Sequence, residues 1–244
     1  MSETFASRAD AHAVPAAERK VLVWDAPVRV FHWLMVASFF GAWLTAESER
    51  WRLAHVTLGY TMAALVAFRI VWGLVGTRHA RFASFVRGPA AVLRYLRSLL
   101  RGQPEPHVGH NPAGALAIVA LLALTLGVAA SGWAVFNDVG GERFENLHEL
   151  GANLMLALVG VHIGAVVLSS WLHRENLVGA MVSGRKPGRL QDGVGRAWRS
   201  VAALMVVAAL GFWWLQWQAA PPAGGLVDRP TAVAPGKGHD ADHD

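Results

Sequence analysis

The sequence predicts an all-α membrane protein, a bundle of four transmembrane helices followed by a fifth. Three observations predict it. Ala113 to Phe136 and Leu150 to Leu172 contain no Asp, Glu, Lys or Arg, and each run is long enough to cross a hydrocarbon core of about 30 Å, which takes about 20 helical residues. Of 244 residues, 54% are hydrophobic and only 16% charged, against roughly 25% charged in a water-soluble domain. Arginines collect in alternate connections between the apolar runs, as they do where loop charge sets membrane orientation.

Residues 1–20 carry Glu3, Arg8, Asp10, Glu18, Arg19 and Lys20 and no apolar run, so they read as a flexible cytoplasmic leader rather than a cleaved signal peptide. The first span runs from about Val28 to Ala46. A polar turn, Glu47 to Arg52, leads to the second, about Leu53 to Val75, with Arg69 embedded in its last third. Asn111-Pro112 marks the start of the third span, Pro112 to Phe136, because proline suits the first helical turn. The fourth covers about Leu147 to Leu172. Residues 188–218 read as a linker and the fifth span, which ends in an aromatic belt of Trp213, Trp214 and Trp217. Residues 219–244, rich in Pro, Gly and Ala and closing on a His/Asp run, read as a flexible periplasmic tail.

Loop charges orient the chain. The connection after the second span holds Arg78, Arg81, Arg87, Arg94, Arg97 and Arg101 against Glu105, and the one after the fourth holds Arg174, Arg185, Lys186, Arg189, Arg196 and Arg199 against Glu175 and Asp192. The connection after the third has Asp138, Glu142 and Glu145 against Arg143. Positive loops stay inside, so the N-terminus is expected in the cytoplasm and the C-terminus in the periplasm of a bacterial inner membrane. The net charge of +5 therefore belongs to topology and membrane lipid, not to nucleic acid. Within the first basic connection, residues 89–101 set Arg94, Arg97 and Arg101 opposite Val92, Leu93, Leu96 and Leu100, a stripe suited to a helix lying on anionic headgroups; a solvated cytoplasmic helix is the alternative.

There is no cysteine, which excludes disulfides, thiolate metal sites, iron–sulfur clusters and covalent haem attachment. Histidine remains. Of 11 histidines, His32, His55, His148 and His162 fall within the spans, where an ionisable residue is costly enough to mark function. His32 is near the cytoplasmic start of the first span and His55 near the outer start of the second. His148 and His162 are fourteen residues apart in the fourth, about 21 Å and close to four turns, so both leave the helix on nearly one face. They pair by depth: His32 with His162, and His55 with His148. Two imidazoles facing each other from different helices suit bis-histidine ligation of haem b, and two such pairs predict two haems. A bare zinc or copper ion is underfilled by two histidines. Gly59, Gly151, Gly160 and Gly164 thin the backbone beside these residues. Arg29 and Arg69 lie at the inner level, where haem propionates take cationic partners; snorkelling to the interface explains Arg29 equally well. His110 reads as a helix-start residue rather than a ligand.

These residues resemble the bacterial cytochrome b561 family, related to the b-type cytochrome subunits of nickel–iron hydrogenases. The similar stretches are 24–33 (WDAPVRVFHW), His55-Val56-Thr57-Leu58-Gly59, Phe68-Arg69-Ile70-Val71-Trp72-Gly73, Gly109-His110-Asn111-Pro112-Ala113-Gly114 and Leu147-His148-Glu149-Leu150 through His162. They lie within residues 21–187. The resemblance implies two b haems in the four-helix part, with the ligand pattern on His32, His55, His148 and His162, and quinone or quinol as one electron terminus.

The expected function is electron transfer between the quinone pool and a periplasmic redox partner such as a c-type cytochrome. Alternatives are a cytochrome b subunit anchoring a hydrogenase-like oxidoreductase and a superoxide:quinone oxidoreductase. A non-redox membrane anchor would use the histidines only as hydrogen bonds between helices. A proton or metal transporter would need further intramembrane acids, and apart from Glu149 the spans offer none.

Overall fold

The computed structural model describes residues 19–103 and 109–220. Most of the leader and the His/Asp tail lie outside the described residues. In chain order the described elements are β1 (Arg19–Leu22), α1 (Ala26–Thr45), α2 (Arg52–Val75), α3 (Phe82–Phe85), α4 (Pro89–Leu100), α5 (Pro112–Phe136), α6 (Glu142–Leu172), α7 (Leu177–Ser183), β2 (Arg185–Gly188) and α8 (Arg199–Gln218). Five of these helices, α1, α2, α5, α6 and α8, are long and apolar enough to cross a membrane.

Local chemistry sets the helix starts. Asp25 caps α1 by accepting from the Val28 amide at 2.9 Å, and Asn111 caps α5 by accepting from the Gly114 amide at 2.7 Å; each satisfies one of the amides a helix N-terminus leaves open. Asn111 thus performs the helix-start role expected of His110. Helix α6 begins five residues before Leu147, because Glu142 and Glu145 belong to its first turn, where carboxylates stabilise the positive end of the helix.

Helix α1 packs on α2, α2 on α5, and α5 on α6, while α8 lies against α1 and α2. Across the remaining side, α1 and α6 stand apart and face a cavity of about 2340 Å³. Helix α8 is pinned at depth by the Trp213 indole, whose Nε1 donates to Thr61 Oγ1 at 2.9 Å. Trp213 therefore faces the bundle, whereas Trp214 and Trp217 remain exposed. On α4, Tyr95 is buried while Leu93 and Leu96 stay exposed.

One pole carries a cap that the sequence did not reveal. Strands β1 and β2 pair antiparallel, Arg19 opposite Gly188 and Leu22 opposite Arg185. The segment expected to be a linker is stitched to it: the Val194 amide donates to Leu22 O at 2.7 Å, and the Ala26 amide to Ala197 O at 2.8 Å. The hub is Asp25, 1% exposed, whose carboxylate also accepts from Trp72 Nε1 at 3.0 Å and Thr77 Oγ1 at 2.7 Å. This is the hairpin pole of the bundle.

Gly184 closes the cap. Its φ is +78°, its carbonyl accepts from the amides of Val23 and Trp24, and a Cβ there would sit 2.6 Å from the Trp24 carbonyl oxygen. Gly184→Ala is expected to destabilise the protein by about 2 kcal/mol or more, combining left-handed strain with a backbone clash. Thermal unfolding in detergent checks it, with Gly195→Ala, where a Cβ meets nothing within 4 Å, as a variant of nearly unchanged stability.

Candidate functional site

At the pole opposite the hairpin, the first turn of α2 and the second turn of α6 bring His55 and His148 together, with ring centroids 6.0 Å apart and planes at 79°. Each ring is held from a neighbouring helix. His55 Nδ1 is 2.8 Å from Ala42 O on α1, and His148 Nδ1 is 3.0 Å from Val128 O on α5. A carbonyl only accepts, so each Nδ1 carries the proton and each Nε2 keeps its lone pair. This is the tautomer that a histidine ligating a metal takes, its other nitrogen donating to a carbonyl. The separation also fits: two metal–nitrogen bonds of about 2 Å on opposite sides of one iron put imidazole centroids about 6 Å apart.

Nearer the hairpin pole, His32 on α1 and His162 on α6 line the cavity between those two helices. His32 Nδ1 is buried with no hydrogen-bond partner among the described residues. The cavity wall over its middle includes Met62, Leu121 and Met155, and the hydroxyl of Thr125 there is satisfied by Leu121 O at 2.7 Å. Among the described residues no three His, Asp or Glu side chains gather as a metal ion's own ligand set.

The glycines divide. A Cβ at Gly59, Gly160 or Gly164 would meet nothing within 4 Å, so open space lies beside His55 and His162. At Gly151 it would meet Val128 at 2.9 Å, which makes Gly151 a packing residue between α5 and α6. Gly132 was not singled out by the sequence, yet a Cβ there would stand 2.8 Å from His148 Cε1; the missing side chain makes room for the imidazole.

The two arginines do not line the cavity among the described residues. Arg29 donates through Nη1 to Val182 O at 2.8 Å, tying α1 to α7. Arg69 is 3% exposed and lies over the rings of Phe82 at 4.8 Å and Phe85 at 5.9 Å, with Nη1 unpartnered. Close by, His110 is clasped between Trp24 and Phe85, both centroids 4.5 Å away, and lines the cavity. Burial first, then the charges of Arg69, His79 and Lys186, push its pKa down to about 3, so the ring is neutral at ordinary pH.

The model of the family described as prokaryotic cytochrome b561 matches residues 23–184. Similar curated proteins include a probable Ni/Fe-hydrogenase B-type cytochrome subunit of Rhizobium leguminosarum bv. viciae, 27% identical over 232 residues, covering 75% of this chain and 95% of the relative. The corresponding protein of Rhodobacter capsulatus is 26% identical, covering 68% and 81%, and the hydrogenase 1 subunit of Escherichia coli K12 is 23% identical, covering 66% and 88%. No solved structure matches. The matched stretch takes in α1, α2, α5 and α6, and so all four histidines, and stops at the cap, and on that match the chain belongs to the prokaryotic cytochrome b561 family, membrane proteins that carry haem b and transport electrons.

Proposed function

We propose that the chain is a dihaem b-type cytochrome that transfers electrons between membrane quinone and a redox partner on the periplasmic side. The observation that carries this reading is the tethered pair His55 and His148, whose Nδ1 atoms are committed to carbonyls and whose Nε2 atoms are left to ligate. His32 and His162, on the two walls of the cavity, are the second ligand pair. Haem b bound by two histidines supplies a one-electron iron couple with no open coordination position, which suits electron transfer rather than oxygen binding. The chain's own contribution is to fix four imidazoles on rigid helices, to surround them with apolar side chains, and to keep water from the space between the two levels.

The hairpin pole is the cytoplasmic one in this reading, because the connections there hold the arginine excess. The names of the relatives, hydrogenase B-type cytochrome subunits, favour a hydrogenase as the periplasmic partner over a c-type cytochrome or superoxide. Arg29, engaged with Val182 O, serves as a clamp in the cap, and Arg69 is buried over the rings of Phe82 and Phe85.

The test uses purified protein in proteoliposomes. Decylubiquinol is expected to reduce the b-type α-band, and ferricyanide added outside to right-side-out vesicles to reoxidise it. Absence of quinol reduction with full haem content contradicts the quinone terminus.

A further inference from the structure

We infer that α4 is a binding site for anionic phospholipid, lying along the headgroup layer with a leucine edge toward the acyl chains and an arginine edge toward the phosphates. The helix has three sides rather than two. Tyr95, 1% exposed, is the side docked on the bundle, and it lines the cavity together with residues of α5, the helix on which α4 packs. At about 100° per residue, fixing Tyr95 inward sends Leu96 and Leu93 out on one flank and Arg94, Arg97 and Arg101 out on the other. The observed burial follows this division: both leucines are exposed, and so are the three arginines.

Position and charge select lipid as the occupant. Helix α4 is tethered at both ends to the hairpin pole. One tether leads from the end of α2, where Trp72 and Thr77 reach Asp25, and the other leads to the start of α5, where His110 packs on Trp24. Leu116, four residues into α5, is already exposed, so the apolar layer of the membrane begins within about 6 Å of the start of that helix. The charge of the segment has one sign: residues 82–103 hold Arg87, Arg94, Arg97 and Arg101 and no Asp or Glu. An apolar edge beside a basic edge matches the boundary between acyl chains and phosphates, whereas a helix in water leaves both leucines wet. Arginine suits that boundary, because its methylene stem lies along apolar surface while its guanidinium forks onto phosphate oxygens. The inference rests on the chain crossing a membrane, and neither on its orientation nor on the quinone terminus.

The chain contains no cysteine, so single nitroxide labels report on chosen positions alone. Labels are placed at Leu96→Cys and, on the arginine flank, at Ala90→Cys, which is also exposed. The full-length protein is held in nanodiscs of phosphatidylcholine and phosphatidylglycerol in equal parts. The label at 96 is expected to collide with oxygen, which dissolves among acyl chains, and the label at 90 with a water-soluble nickel chelate. Equal accessibility at the two positions, in either direction, overturns the assignment. Amide hydrogen exchange over residues 92–99 tests the charge, because a ligand that binds the folded helix slows exchange through its opened form by the binding factor. An arginine near an anionic surface contributes about fivefold, so exchange is expected to be about tenfold slower in the mixed discs than in phosphatidylcholine alone. Arg97→Gln with Arg101→Gln is expected to abolish most of that difference, and Arg97→Lys with Arg101→Lys to keep it. Exchange that is equal in the two kinds of disc, or a difference that survives loss of both charges, overturns the anionic-lipid site.

Discussion

His148→Leu is expected to lower bound haem b from two per chain to one while leaving the protein folded and in the membrane. The leucine is apolar and helix-favouring, so α6 is not weakened, and His162 still stands about 21 Å along the same helix. What disappears is one imidazole of the pair whose rings lie 6.0 Å apart, and with it one of the two ligands proposed for that haem. His162→Leu is expected to remove the other haem and spare this one. The two variants should therefore retain different α-bands, whose sum reproduces the wild-type spectrum. Gly132→Val reaches the same end without touching a ligand, because a Cβ at 132 stands 2.8 Å from the His148 ring and must displace it. Quantifying haem against protein in these three variants checks the prediction. A variant that loses both haems together while still folded would mean that the pairs are not independent.

The second large effect is structural. Asp25→Ala strands the Val28 amide, the Trp72 indole and the Thr77 hydroxyl, all of which donate to one buried carboxylate. Truncating the acceptor of buried donors costs about 1–3 kcal/mol for each group left unpaired. Part of this is recovered as water enters, which leaves an expected loss of about 3–5 kcal/mol. Asp25→Asn keeps the shape and one acceptor oxygen and should lose less. Thermal unfolding in detergent, followed by helix content, measures both. The substitution also loosens the start of α1, seven residues before His32, so haem loss on heating should begin at a lower temperature in Asp25→Ala than in wild type.

The membrane helices were legible because their signal is one-dimensional. A charge-free run such as 113–136 announces its length and class with no knowledge of its neighbours, and α5 begins and ends where Asn111-Pro112 and Phe136 imply. The histidine levels were legible for a related reason. Helical rise converts spacing along the chain into depth, and depth brought His55 opposite His148. What holds those rings was not legible. Ala42 and Val128 contribute carbonyl oxygens, which every residue has, so no side chain marks them. The cap was hidden for the opposite reason: β1 reads Arg-Lys-Val-Leu and β2 reads Arg-Lys-Pro-Gly, too short and too charged to signal strands, and they find each other only across more than 160 residues. The same long-range closure claimed Arg29 for Val182, and it turned His110 from a helix-start residue into a cavity wall.

The most direct test of the central claim is the number of haems. Purified protein, with chain concentration fixed by quantitative amino-acid analysis, should yield two haem b per chain in the pyridine haemochrome assay. Both should be low-spin, as the proposed bis-histidine ligation by two separate pairs would leave neither iron an open position. A ratio near one would show that a pair has been misassigned, and a ratio near zero would contradict the account altogether.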